Sequence, residues 1–167
     1  MENKTTQKFI IPVLLLIIAY EWLIASADKL LTKNYLENMH KQMVQSVSDI
    51  HFQPYAHLFK SVGIPHYHLI GILVLLAELF VGLTFAIIAI RKLQGKSSVV
   101  IGKIGMIATI IAAFMNLNYA ILGGDTLFVD PANAFSESIS IDWIMFLIEV
   151  MMAFYFYSIS TQRSNAQ

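Results

Sequence analysis

Residues 67–90 read YHLIGILVLLAELFVGLTFAIIAI, an apolar run interrupted by one carboxylate, Glu78. A hydrocarbon core about 30 Å thick is crossed by roughly 20 helical residues at about 1.5 Å each, so this run is long enough to span. Three further runs have the same character, at about residues 9–31, 99–122 and 139–159. Lipid offers the backbone no hydrogen-bond partner, so each run must satisfy its own N–H and C=O groups and is expected to be a helix. Composition agrees. Hydrophobic residues make up 57% of the 167 positions and charged residues only 13%, against roughly a quarter in soluble domains. The reading is an all-α integral membrane four-helix bundle forming one domain over residues 1–167.

The charges orient it. Lys4, Lys8, Arg91, Lys92, Lys96, Lys103 and Arg163 fall on one side with Glu2. Lys29, Lys33, Lys41 and Lys60 fall on the other, among Asp28, Glu37, Asp49, Asp125, Asp130, Glu137 and Asp142. The excess of basic residues in cytoplasmic segments then predicts both termini in the cytoplasm and the longer connections outside, in a plasma (inner) membrane. Lys4 and Lys8, the apolar run and Ala25-Ser26-Ala27 imitate a secretory signal. That run is long for a signal and carries Glu21, so it is read as the first span. Eleven basic residues balance eleven acidic ones, which gives no reason to expect nucleic acid. The chain has no cysteine, which excludes disulfides, thiolate metal sites, Cys-ligated clusters and dithiol–quinone chemistry.

The connection between spans one and two is too long for an idle turn. Leu36, Met39, Met43, Val47 and Ile50 recur at helical steps, predicting an amphipathic helix over about 34–50 that caps the outer mouth of the bundle. Pro54 is expected to interrupt it, with a short turn over Tyr55 to Phe59. In the second outer connection Gly123-Gly124 ends a helix and Asp130-Pro131 turns the chain.

Ionisable groups inside a membrane are costly and face the bundle interior. Glu21, Glu78 and Glu149 lie within spans, and Asn116 sits at a similar outer depth with Tyr119 on the same face. Leu-Ala-Glu-Leu at 76–79 and Leu-Ile-Glu-Val at 147–150 are a faint internal echo. A carboxyl group removed from water favours its neutral form. The chemistry expected of Glu21 and Glu78 is therefore proton exchange, with Glu21 as relay. Glu78, Asn116, Tyr119 and Trp22 are the expected contacts of a quinone of ubiquinone or menaquinone type. Static hydrogen bonding between helices is the competing reading, most of all for Glu149. All five histidines lie in the outer segments, and Lys29, His66 and His68 are expected to attract a small anionic donor. His66 and His68 with His57 have metal-like spacing, but no cysteine joins them and no metal is expected.

Three stretches resemble the DoxX/DoxD-like membrane family. They are Ala25-Ser26-Ala27-Asp28-Lys29-Leu30, then Ala77-Glu78-Leu79-Phe80-Val81-Gly82-Leu83, and Met115-Asn116-Leu117-Asn118-Tyr119 followed by Gly123-Gly124. Two family features are replaced here: an Arg opening the first helix, and a Gly before the Lys-Leu pair. The resemblance implies a four-helix bundle and a thiosulfate:quinone oxidoreductase, which oxidises thiosulfate to tetrathionate while reducing a membrane quinone. A non-enzymatic scaffold or assembly subunit of a redox complex is the alternative, with the 39–50 stripe as its docking surface. A small proton-coupled transporter working as a homo-oligomer is the third.

Overall fold

The computed structural model describes residues 4–96, 98–124 and 140–162, and every described element is helical. Helix α1 spans Lys4–Leu31, α2 Tyr35–Ser46, α3 Gln53–Leu58, α4 Tyr67–Leu93, α5 Val99–Leu122 and α6 Ile141–Gln162. A π-helical turn, Phe59–Gly63, extends α3. Four helices are long and apolar enough to cross a membrane, over Phe9–Leu31, Tyr67–Leu93, Val99–Leu122 and Ile141–Thr161. These match the expected spans within three residues at each end. The protein is a multi-pass membrane protein. The Asp130-Pro131 turn lies outside the described residues, as do Glu2, Asp125, Glu137 and Arg163.

The outer surface explains the composition. Ile17, Leu76, Ile110, Phe114, Met151 and Phe154 all stand with half or more of their surface exposed, which a soluble domain would not tolerate in such number. The interior is built by Leu15, Ile18 and Trp22 of α1, Val81, Phe85 and Ile88 of α4, Ala108 and Ala112 of α5, and Met152 and Phe156 of α6. Helix α1 packs on α4, α5 packs on α6, and α4 joins the two pairs through α5.

Small residues set the distances within each pair, since lipid supplies no hydrophobic drive between helices and close van der Waals packing must replace it. A Cβ on Gly82 would stand 2.8 Å from Leu23 Cγ and 3.1 Å from the Leu23 backbone nitrogen. A Cβ on Gly105 would stand 2.6 Å from two ring carbons of Phe156, which is fully buried and has nowhere to go. We expect Gly105→Leu to pry α5 from α6 at a cost of about 1–3 kcal/mol. The check is a lowered unfolding midpoint of the detergent-solubilised protein. An unchanged midpoint would mean that the pair does not depend on this contact.

The connection after α1 differs from expectation in detail, for local reasons. The amphipathic helix is shorter than expected, ending at Ser46 and finishing in turns through Asp49. Pro54 starts a helix instead of only stopping one, because it sits in the first turn of α3, where a missing N–H costs nothing. The apolar stripe of α2 turns inward. Met43 is buried, and Leu36 and Met39 close over Gly71 at the start of α4, where a side chain would collide with them. The stripe covers this chain's own bundle and is not left open as a docking surface. At the same capped end Gly124, at φ 72°, leaves its α-carbon bare beside the Asp49 carbonyl oxygen, 2.6 Å from where a Cβ would stand. At the opposite end Lys92 Nζ of α4 donates to the Tyr155 hydroxyl of α6 at 2.7 Å.

Candidate functional site

Two carboxylates are wholly buried, and each is held by two other helices. Glu78 of α4 has no exposed surface. Its Oε1 accepts from Lys29 Nζ of α1 at 2.6 Å and from the Tyr119 hydroxyl of α5 at 2.9 Å. Its Oε2 is buried and has no hydrogen-bond partner. Glu149 of α6 is equally buried, and both its oxygens are occupied. Trp22 Nε1 of α1 donates to Oε1 at 3.2 Å, and Asn116 Nδ2 of α5 donates to Oε2 at 2.9 Å. Every spanning helix therefore contributes to at least one of the two networks.

This grouping corrects the expected one. Glu78 and Asn116 fall in different hydrogen-bond networks, because the Asn116 amide nitrogen donates to Glu149. Trp22 likewise serves Glu149, deep in the bundle at 3% exposure. Tyr119 does join Glu78. Lys29, expected at the mouth as a lure for an anion, spends its ammonium on Glu78, with 24% of its side chain still exposed. Asp28, its neighbour in sequence, is exposed and does not pair with it. Glu21 is half-buried, without a hydrogen bond among the described residues, and faces Asp142. Glu21 thus stands outside both buried networks. His66 and His68 are exposed. The first bonds the Val62 carbonyl through Nδ1, and the second lies tilted against Tyr67 with ring centroids 4.1 Å apart. Among the described residues no three His, Asp or Glu side chains gather as metal ligands.

Tyr35, which the sequence reading passed over, belongs to the Glu78 group. It opens α2, and its hydroxyl reaches the Gly71 carbonyl at 3.3 Å. Burial, together with the negative charge of Glu78, pushes its phenol up to about 12. The cap is thus tied down over the ion pair. The only hint in the sequence was a tyrosine on the stripe side of an amphipathic helix, one step before Leu36. Tyr55 of α3 plays a similar part nearby, donating to Asn118 Oδ1 at 2.6 Å, and burial raises its phenol as well. Asn118 therefore meets the cap, not another spanning helix.

Tyr119 also faces open space. An apolar groove of about 510 Å³ runs between α3 with its π turn, α4 and α5. Its walls include Phe59, Leu73, Phe114 and Tyr119, with Tyr55 and Asn118 as further polar groups. Leu58, Val62, Leu73 and Phe114 are all about half exposed or more on the lipid-facing surface, so the groove opens sideways. A second cavity of about 250 Å³ lies under α2, lined by Gln42, Ser46, Met39 and Met43, and again by Tyr119. One phenol thus borders a lipid-side groove, a cavity beneath the polar cap, and a buried ion pair.

Comparison of the chain with protein-family models, with curated proteins and with solved structures finds no match in any of the three.

Proposed function

We propose that the protein takes a quinone from the surrounding lipid into the lateral groove and exchanges protons with it through Tyr119. One observation carries this reading: the Tyr119 hydroxyl borders the groove and hydrogen-bonds the buried Lys29–Glu78 pair. The fit is chemical as well as spatial. The volume lies within the roughly 300–1,000 Å³ usual for small-molecule sites. The walls are apolar and aromatic, and a few polar groups are set among them, which suits a flat ring carrying two oxygens.

A bound quinone takes up two electrons and two protons on becoming a quinol. The chain's own groups handle the protons. Tyr119 has one hydroxyl proton, now donated to Glu78 Oε1, and a turn of the hydroxyl presents it to the groove. Lys29 holds a proton at Nζ 2.6 Å from the same Oε1, and its exposed quarter connects it to water. A proton given up by the phenol is replaced from Nζ through Glu78, and Nζ recovers one from water. Burial keeps these exchanges away from bulk solvent, and an acid positioned in this way typically contributes about 100-fold or more.

The resemblance to the DoxX/DoxD-like family supplies the electron source in this proposal. Two thiosulfate anions join through a new S–S bond as tetrathionate and release two electrons, which balances one quinone. Exposed Lys33, Lys41, His66 and His68 would draw the anion to the capped end. With the basic segments in the cytoplasm, that end faces outward from a plasma membrane.

The test is lipid extraction and mass spectrometry of protein purified in mild detergent, followed by thiosulfate-dependent reduction of a soluble quinone. Tyr119→Phe keeps the ring in the groove wall and removes the proton. It should retain the quinone and lose about 100-fold in turnover. Absence of quinone from the wild type would overturn the binding site. Wild-type turnover in Tyr119→Phe would overturn the proton route.

A further inference from the structure

A second groove lies at the other end of the bundle, between the end of α4 and the start of α5. It holds about 460 Å³ and is lined by Thr84, Ile87, Ile88, Arg91, Ser98, Val100, Ile101 and Ile104. Nothing in the proposed reaction uses it. Five of its walls are Ile or Val, and Arg91 stands at its rim as the charged group. Arg91 is exposed, and its guanidinium makes no hydrogen bond or ion pair among the described residues. Its neighbour Lys92 is committed to Tyr155 across the bundle.

Among the described residues the charge around this groove is of one sign. Between Glu78 and Asp125 the sequence contains Arg91, Lys92, Lys96 and Lys103 and no acidic residue at all. The first turn of α5 opens onto the same rim, where the Ser98 side chain caps the Ile101 N–H at 3.2 Å. The remaining free N–H groups of that turn add to the positive field there.

We propose that this groove is a binding site for an anionic phospholipid. An acyl chain lies along Ile87, Ile88, Ile101 and Ile104, and the phosphodiester meets the Arg91 guanidinium. Guanidinium suits this task because its planar fork can give two parallel hydrogen bonds to phosphate oxygens. A neutral lipid has the same acyl chain but no net negative charge to answer the one-signed rim, so the site selects by headgroup. One basic residue near a membrane surface favours an anionic lipid by roughly fivefold.

The test is native mass spectrometry of the full chain in detergent, titrated with phosphatidylglycerol and with phosphatidylcholine of the same chain length. Wild type should retain phosphatidylglycerol about fivefold more strongly. Arg91→Gln should bring the ratio to about one, and Arg91→Lys should restore part of the preference. Ile104→Trp, at a groove-lining position that is 42% exposed, fills the groove and leaves the charge in place, so it should lose phosphatidylglycerol and show that the acyl chain is held. Unchanged midpoints of thermal unfolding in all three variants confirm that they fold. Equal retention of the two lipids by wild type would overturn the proposal, as would an undiminished preference in Arg91→Gln. Undiminished retention by Ile104→Trp would also overturn it, leaving only an anion contact at the surface.

Discussion

Lys29→Met is expected to destabilise the protein by about 3–5 kcal/mol, the cost of stripping one partner from a buried ion pair. The physical reason is the asymmetry of the pair. Glu78 is wholly buried, whereas Lys29 keeps a quarter of its side chain exposed. Loss of the ammonium strands a carboxylate that already has one oxygen without a partner. Loss of the carboxylate leaves an ammonium that can turn toward solvent. Glu78→Gln should therefore cost much less than Lys29→Met, since its carbonyl still accepts from Tyr119. The double variant should recover most of the loss. Thermal unfolding in a single detergent gives all the midpoints needed. If the double variant is no more stable than Lys29→Met alone, the pairing does not explain the cost.

The second large effect belongs to the other carboxylate. Glu149→Leu removes the acceptor of both the Trp22 indole N–H and the Asn116 amide. Each orphaned donor inside a dry bundle costs about 1–3 kcal/mol, so the variant should lose roughly 2–6 kcal/mol. Adding Asn116→Leu leaves only one orphan and should return about half of that. Trp22 fluorescence provides a local readout, because the loss should shift its emission as its surroundings loosen. A Glu149→Leu protein with wild-type stability and emission would show that the network does not hold the helices together. This network is the interhelical hydrogen bonding weighed from the outset against a catalytic role for Glu149. Its saturation, with both oxygens occupied, favours that reading over chemistry.

Much of this was legible in the sequence, and the reason is the solvent. Lipid forces every spanning backbone to satisfy itself, so run length alone located four apolar spans within three residues at each end. The same penalty made Glu78, Glu149 and Asn116 stand out as interior groups, and all three are buried. The stripe of α2 was legible by its period. Its C-terminal end was not, because the stripe continues in Val47 and Ile50 after the backbone has left the helix at Ser46. Tyr35 escaped notice because its importance comes from Gly71 and Glu78, more than thirty residues away in the chain.

Partner choice was the part that only tertiary structure decided. Periodicity assigns a residue to a face of its own helix but says nothing of how that helix is rotated against the next. Asn116 and Tyr119 share one face of α5, yet one meets α6 and the other meets α4. Gly82 and Gly105 fix which helices approach closely, and those approaches determine which carboxylate each donor can reach. The sequence by itself determined that polar groups are buried among four membrane helices. The packing of α1 on α4 and α5 on α6 sorted them into an ion pair beside a groove and a separate network around Glu149.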